Sequence, residues 1–212
     1  GPPDRLVVDL DPGPGAGLEL CVEVAHLARE LLDGMGLPSV PVTSGSKGIH
    51  LYAGLDGSAT SEQVSAVAKE LARALEADHP RLVVSEQRKS LREGKVLVDW
   101  SQNSAAKTTV APYSLRGRER PWVAAPRTWE EIGEPGLAQL EMGEVLELLA
   151  ERGDPLGSLA VPGSDRLARY RSMRDPERTS EPVPDAAPLP RPGGRTFVIQ
   201  EHDARRKHFD FR

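Results

Sequence analysis

Two acids set two residues apart, Asp9 and Asp11, close the run Leu6-Val7-Val8-Asp9-Leu10 and are followed at once by Pro12-Gly13. Val and Leu favour extended backbone and Pro-Gly ends it, so the pattern predicts that both acids sit at a strand end. Residues i and i+2 of a strand project from one face about 6.6 Å apart. Carboxylates so placed converge on a hard cation such as Mg²⁺ or Mn²⁺. The plain alternative is a solvated strand end before a turn. A third acid, Asp99, closes another apolar run, Lys95-Val96-Leu97-Val98-Asp99-Trp100. Three carboxylates from two strands suit a two-metal site, whereas a lone strand-end Asp is more often a turn cap.

A second set of residues suits phosphate. Ser44-Gly45-Ser46-Lys47-Gly48 offers backbone N–H groups freed by glycine, two hydroxyls and an ammonium. It lacks the spacing of a Walker A loop, and a strand follows it instead of a helix. His50, two residues into that strand, either faces the same phosphates or is a half-buried histidine satisfied by a backbone carbonyl. Arg92, Lys95 and Arg116 would neutralise phosphate charge if they gather near the acids, and are ordinary surface cations if they do not.

These residues need a scaffold, and hydrophobic periodicity describes one. Leu20, Val24, Leu27 and Leu31 recur at helical spacing, with Gly34, Gly36 and Pro38 closing the pattern, so a helix is expected to pack on the first strand. His26 falls between its core positions and reads as a surface or boundary residue. Val40–Thr43 and Ile49–Tyr52 read as strands flanking the glycine-rich loop. Thr60 with Gln63 forms a capping box for a helix whose inner face is Val64, Val67, Leu71 and Leu75 and which ends near His79-Pro80. Leu82-Val83-Val84 reads as a strand and Arg88–Arg92 as a basic loop. The alternation of strands and helices predicts an α/β (α+β) arrangement, a sheet with flanking helices and the acids at strand ends.

Beyond Trp100 the chain turns polar, then basic and irregular through Lys107, Tyr113, Arg116, Arg118 and Arg120. Short helices are expected after the Thr128–Glu131 cap, around Val145–Leu149, and near Leu167 and Tyr170. Prolines 176, 182, 184, 188, 190 and 192 mark a linker with polyproline character, and strand character returns at Thr196.

Composition sets outer bounds. With 212 residues, 38% of them hydrophobic, there is room for one well-packed domain and part of another. The single cysteine, Cys21, lies among apolar residues of the first helix and reads as a core residue in a reducing compartment. No apolar run approaches the length of a membrane span and no signal pattern opens the chain, so a cytoplasmic protein is expected. A net charge of −5 argues against a uniformly basic nucleic-acid coat, although Arg81–Arg120 is locally basic. Gly-Pro-Pro-Asp leads almost directly into a core-like strand, which is expected of a cut through a domain.

The segments Val8-Asp9-Leu10-Asp11-Pro12-Gly13, Thr43-Ser44-Gly45-Ser46-Lys47-Gly48-Ile49-His50 and Val98-Asp99-Trp100-Ser101-Gln102-Asn103 come in that order. Lys107-Thr108-Thr109 and Ala111-Pro112-Tyr113-Ser114-Leu115-Arg116 follow them. In order and spacing they resemble the polymerase domain of bacterial ligase D, within the archaeo-eukaryotic primase-polymerase superfamily, from about Arg5 to Tyr170. The resemblance implies that Asp9, Asp11 and Asp99 hold two Mn²⁺ or Mg²⁺ ions. It gives Ser44, Lys47, Gly48 and His50 the triphosphate of an incoming nucleotide, and makes Arg92, Gln102 and Arg116 the lining of the nucleotide and primer-template pocket. The tail, Phe197 to Arg212, resembles the opening of the 3′-phosphoesterase domain that follows in such proteins. There His202, His208 and Asp210 would be manganese ligands and Arg212 a phosphate contact; without the resemblance the two histidines and the aspartate read as ordinary surface residues.

The implied layout is the C-terminal part of a primase-polymerase domain in 1–173, a Pro-rich linker in 174–195 and the start of a phosphoesterase in 196–212, truncated at both ends. The implied activity is metal-dependent nucleotidyl transfer in non-homologous end-joining DNA repair, extending primers and filling gaps at DNA ends. The implied partners are double-strand-break ends, NTP or dNTP, and a Ku-type end-binding protein, in the cytoplasm and with the nucleoid when DNA is bound. The lysines that bind a 5′-phosphate and the aromatic that stacks on the template base in this family lie in an N-terminal half absent from this sequence, so the isolated chain is expected to be weak or inactive. One rival is a non-catalytic DNA-end or partner-binding fragment, disfavoured because three carboxylates near phosphate repel without metal. The other is an aspartyl-nucleophile phosphohydrolase, which expects Thr or Val and a small residue where Pro12-Gly13 stands.

Overall fold

The structure is a computed structural model that describes residues 2–117 and 120–159, together with the backbone of two short strands at 199–202 and 208–211. The chain opens with β1 (Arg5–Pro12), α1 (Leu18–Gly34), β2 (Ser39–Thr43), β3 (Ile49–Gly54) and α2 (Ser61–Asp78). It continues with β4 (Val83–Val84), β5 (Val96–Asp99), β6 (Trp122–Val123), β7 (Ala125–Pro126), α3 (Trp129–Gly133), β8 (Leu140–Glu141) and α4 (Met142–Arg152). Six strands form one sheet in the order β4-β5-β1-β3-β2-β7, antiparallel throughout except for the parallel β4–β5 pair.

Alternation divides this sheet into two unlike faces. Leu6, Val8 and Leu10 of β1, Ile49 and Leu51 of β3, and Val96 and Val98 of β5 point to one side, where they are buried with residues of α1 and α2. Burying a side chain of this size contributes about 1.5–3 kcal/mol, so this layer dominates the stability of the domain. On the other side Val7, Val40, Val42 and Tyr52 form a smaller cluster with Ala124 and Leu159.

The helix that starts at Leu18 does not bury the leucine stripe expected of it. Its buried residues are Cys21, Val24, Ala25, Ala28 and Leu32, while Leu20, Leu27 and Leu31 are only partly covered. Small side chains at 25 and 28 let the helix backbone approach the sheet, which turns the leucines toward its flanks. Cys21 is buried as expected, and burial, with the charge of Asp11 next in size, pushes its thiol up to about 12. The second helix follows its pattern: Val64, Val67, Leu71 and Leu75 are buried, and the Thr60–Gln63 capping box forms in both directions.

Several expectations change. The first strand runs through Pro12, so only Asp11 is near its end, and Asp9, expected there as well, lies in mid-strand, paired on both sides. Pro12 is accommodated because pairing to β3 has already stopped at Leu10. Beyond the segment read as irregular, where no strand was expected, the chain supplies a small β6–β8 sheet and the edge strand β7. The Thr128–Glu131 capping box and the helix around Val145 are present, although Leu146 is 58% exposed.

Loops are held tightly to the end of the sheet. A Cβ on Gly13 would lie 1.8 Å from the Arg92 carbonyl oxygen, and one on Gly48 would lie 1.9 Å from that of Leu10. Arg118, the helix expected near Leu167 and Tyr170, the Pro-rich linker and Arg212 fall outside the described residues. In the tail, β9 (Ile199–His202) pairs antiparallel with β10 (His208–Phe211), His208 opposite His202 and Asp210 opposite Gln200. Among the described residues no helix is long and apolar enough to cross a membrane.

Candidate metal and phosphate site

Cross-strand partners point to the same face of a sheet, so the double pairing of β1 gathers charge. Asp9 stands opposite His50 on one side and Asp99 on the other, with Asp11 two residues further on. Asp9 and Asp99 are only 6% and 5% exposed, so both carboxylates depend on protein partners in place of water. Gln102 Nε2 donates to both, to Asp9 Oδ2 at 3.2 Å and to Asp99 Oδ2 at 3.3 Å. His50 Nε2 lies 3.3 Å from Asp9 Oδ1. That oxygen and His50 Nδ1 are nevertheless buried without a hydrogen-bond partner, so the backbone carbonyl that would satisfy an ordinary strand histidine is not there.

The other oxygen of Asp99 caps a turn. Asp99 Oδ1 accepts from the Ser101 N–H at 2.9 Å and from its hydroxyl at 2.5 Å, opening a 3₁₀ turn over Trp100–Asn103. Lys107 Nζ lies 3.6 Å from Asp99 Oδ2 and donates to the Ser101 hydroxyl. Asp99 thus caps the turn through one oxygen and shares Gln102 with Asp9 through the other.

The carboxylates differ in proton affinity for physical reasons. Burial works to raise Asp99, but the Ser101 and Gln87 hydrogen bonds and the Lys107 ammonium outweigh it and hold its carboxyl below the usual range. Asp11 goes the other way. The protein packed beneath it and then the charge of Asp9 raise its carboxyl, with Arg92 and His50 opposing. Its side chain still reaches solvent at the rim, which limits the rise.

Among the described residues no three His, Cys, Asp or Glu side chains close into a ready metal cage. The donor set nonetheless fits a divalent cation. One oxygen from each of two buried carboxylates already converges on a single electropositive nitrogen, Asp9 Oδ1 lacks a partner, and oxygen is the ligand that hard cations take.

The loop between β2 and β3 differs from its expectation. Ser44 N–H bonds the Gly48 carbonyl at 3.0 Å and closes the loop. Gly45 N–H donates to Gln139 Oε1 at 2.7 Å, and the N–H groups of Ser46 and Gly48 donate to Ser44 Oγ at 3.3 and 3.2 Å. These N–H groups are therefore engaged within the protein, as backbone donors of a buried loop must be. Phosphate would be met by side chains. Lys47 is exposed and borders a recess of about 560 Å³ lined by residues 12–18. The Arg116 stem and Val123 backbone occupy the space where Gly45, at φ +67°, would carry a Cβ, so Arg116 is brought against the loop.

Arg92 spans the rim. Its guanidinium holds both the Gln87 carbonyl and side-chain oxygen at 2.8 Å, and its charge reaches Asp11. Lys95 does not join the cluster, because its ammonium is drawn to the Pro80 carbonyl at 2.7 Å. Two amide side chains were given no role from the sequence. Gln139 grips the loop at Gly45 and, through Nε2, at the Gly48 carbonyl at 3.3 Å; Asn103 bonds the backbone of Val7. Nothing local marks Gln139, since its partners lie more than 90 residues away.

A mixed sheet with flanking helices is the fold of a primase-polymerase domain, and comparison with a solved structure bears out that fold class. The polymerase domain from Mycobacterium tuberculosis ligase D in complex with DNA superimposes with a TM-score of 0.73 at 55% identity, over 75% of this chain and 55% of that one. The family profile described as "LigD, primase-polymerase domain" matches residues 1–156. The chain is 56% identical to the multifunctional non-homologous end joining DNA repair protein LigD of Mycobacterium tuberculosis. It is 52% identical to the multifunctional non-homologous end joining protein LigD of Mycolicibacterium smegmatis. Each match covers all of this chain and 28% of the relative. The chain belongs to the LigD primase-polymerase domain family.

Proposed function

We propose that this chain carries the metal- and nucleotide-binding part of a polymerase active site in a multifunctional end-joining protein. The observation that supports it most directly is the register that sets Asp9 between His50 and Asp99 with Asp11 on the same face. In this reading Asp9, Asp11 and Asp99 hold two divalent ions, Mn²⁺ or Mg²⁺. Bound there, the ions would supply positive charge to the reacting phosphate and favour ionisation of a primer 3′-hydroxyl. The protein's own part is positional. Lys47 and His50 meet the triphosphate beside Ser44 and Gly48, with His50 also contacting Asp9, and Arg92, Gln102 and Arg116 line the nucleotide and primer-template pocket.

The finer assignments follow the same proposal. DNA break ends, NTP or dNTP and a Ku-type protein are the partners of the whole protein. The layout is 1–173 polymerase, 174–195 linker and 196–212 the first part of a phosphoesterase, with His202, His208 and Asp210 as its metal ligands and Arg212 on phosphate. The register of His208 opposite His202 supports the tail assignment.

The test is template-dependent primer extension by a protein that contains this chain in its full polymerase domain. Asp9→Asn and Asp99→Asn should each lower extension by at least a hundredfold, and Lys47→Ala should raise the nucleotide KM more than it weakens DNA binding. Extension that survives both acid substitutions would overturn the assignment. The 212-residue chain alone should bind Mn²⁺ weakly and extend primers poorly, since misplacing a substrate by about 1 Å costs on the order of a hundredfold.

A further inference from the structure

Asn103 closes the motif that supplies Asp99 and Gln102, yet it touches neither acid. The β1–β5 register runs Pro12↔Val96, Asp11↔Leu97, Leu10↔Val98 and Asp9↔Asp99. One more pair of steps would set Ser101 opposite Val7, but the chain leaves the sheet at Asp99 and winds into the 3₁₀ turn. The polar groups of Val7 are not abandoned. Asn103 Oδ1 accepts the Val7 N–H at 2.8 Å and Asn103 Nδ2 donates to the Val7 carbonyl at 2.8 Å. These are the two bonds that a directly opposed strand residue exchanges in an antiparallel ladder. The second hydrogen of Nδ2 goes back to the Trp100 carbonyl at 3.0 Å and closes the turn.

We propose that Asn103 is a positioning residue for the carboxylate site. Its side-chain amide replaces a strand residue opposite Val7 and so fixes where Ser101 and Gln102 meet Asp99 and Asp9. The inference rests on the metal-site reading above. Had β5 continued as a strand, alternation would have sent Gln102 to the helix-covered face, out of reach of both acids. The turn brings it to the acid face, and the turn is pinned at both ends, by the Asp99 cap at its start and by Asn103 at its finish. A carboxylate cannot donate to two carbonyls, a hydroxyl cannot both accept and donate over this span, and a glutamine carries the same amide one methylene too far. Asparagine meets all three demands.

The experiment is Mn²⁺ titration of the 212-residue chain carrying His202→Ala and His208→Ala, which remove the tail's own candidate ligands, read by electron paramagnetic resonance, for that parent, Asn103→Asp and Asn103→Gln, with thermal melting of each. Both variants are expected to bind Mn²⁺ at least fivefold more weakly while still melting cooperatively. Asn103→Asp is the sharper probe, because an added negative charge near the site would by itself tighten cation binding, so weakening reports geometry. Asn103→Gln keeps donor and acceptor and decides the matter if the aspartate variant does not fold. Parent-like or tighter binding by a folded variant overturns the positioning role and leaves the metal reading standing. Failure of both variants to melt cooperatively also overturns it, by making Asn103 a purely structural residue. A parent chain that binds no Mn²⁺ overturns the metal reading and this inference with it.

Discussion

On β1 the even-numbered Leu6, Val8 and Leu10 and the odd-numbered Val7, Asp9 and Asp11 share one backbone, yet the even set is sealed beneath α1 and α2 while the odd set carries the charge. Neighbouring strands repeat the division: Leu51 and Val98 go down, His50 and Asp99 go up. The comparison teaches how a small domain tolerates buried carboxylates at all. Bringing two acids to near-complete burial is unfavourable. The apolar layer one side chain away offsets that cost, so stability and chemistry are separated by a single residue step and not by domain.

That separation can be broken from either side. The largest expected effect on stability is Leu51→Ala, at a position with no exposure, which should lower the unfolding free energy by about 2–5 kcal/mol through lost transfer energy and a residual cavity. Chemical denaturation measures it, and Mn²⁺ affinity of the folded fraction should stay close to the parent's. Smaller is Gln139→Ala on the acid side, which strips two bonds from the loop 44–48. It should cost about 1–2 kcal/mol. In the full polymerase domain it should also raise the nucleotide KM, whereas Leu51→Ala should not.

The smallest effect on stability is expected of Asp9→Asn. Relief from the neighbouring acids offsets the lost His50 contact, so denaturation should stay within about 1 kcal/mol of the parent. Mn²⁺ binding should nevertheless fall tenfold or more. If Asp9→Asn destabilised the fold as much as Leu51→Ala, the division between the faces would be wrong.

Much of this layout was legible in the chain because local pattern carries it. The i, i+2 acids, the capping boxes at Thr60 and Thr128, and the inner face Val64, Val67, Leu71 and Leu75 are all set by neighbours within a turn or two. What was not legible depends on distant partners. The position of Asp9 within its strand is decided by how far β5 and β3 run alongside, which its own neighbours do not record. The glycine-rich loop looked open to phosphate in part because Gln139, which takes up the Gly45 N–H, lies 94 residues away; the bonds from the Ser46 and Gly48 N–H groups to Ser44 Oγ are local. Lys95 looked like a site cation because Pro80, which captures its ammonium, lies 15 residues back. In α1 the leucines misdirected the expected face because alanines, weak in any hydrophobic count, decide how near a helix can come to a sheet.

The glycines at 13 and 48 bear on how this sequence can drift. Every missense change reachable from a glycine codon adds a Cβ, and at these two positions that atom would sit within 2 Å of a backbone carbonyl oxygen, with no flexible side chain to move aside. Neither codon has a neutral missense neighbour in the genetic code. In a saturation library selected for folded protein, both should therefore be emptied of all substitutions, conservative and radical alike. Exposed glycines such as Gly143, with open space around the missing Cβ, should fill with alternatives.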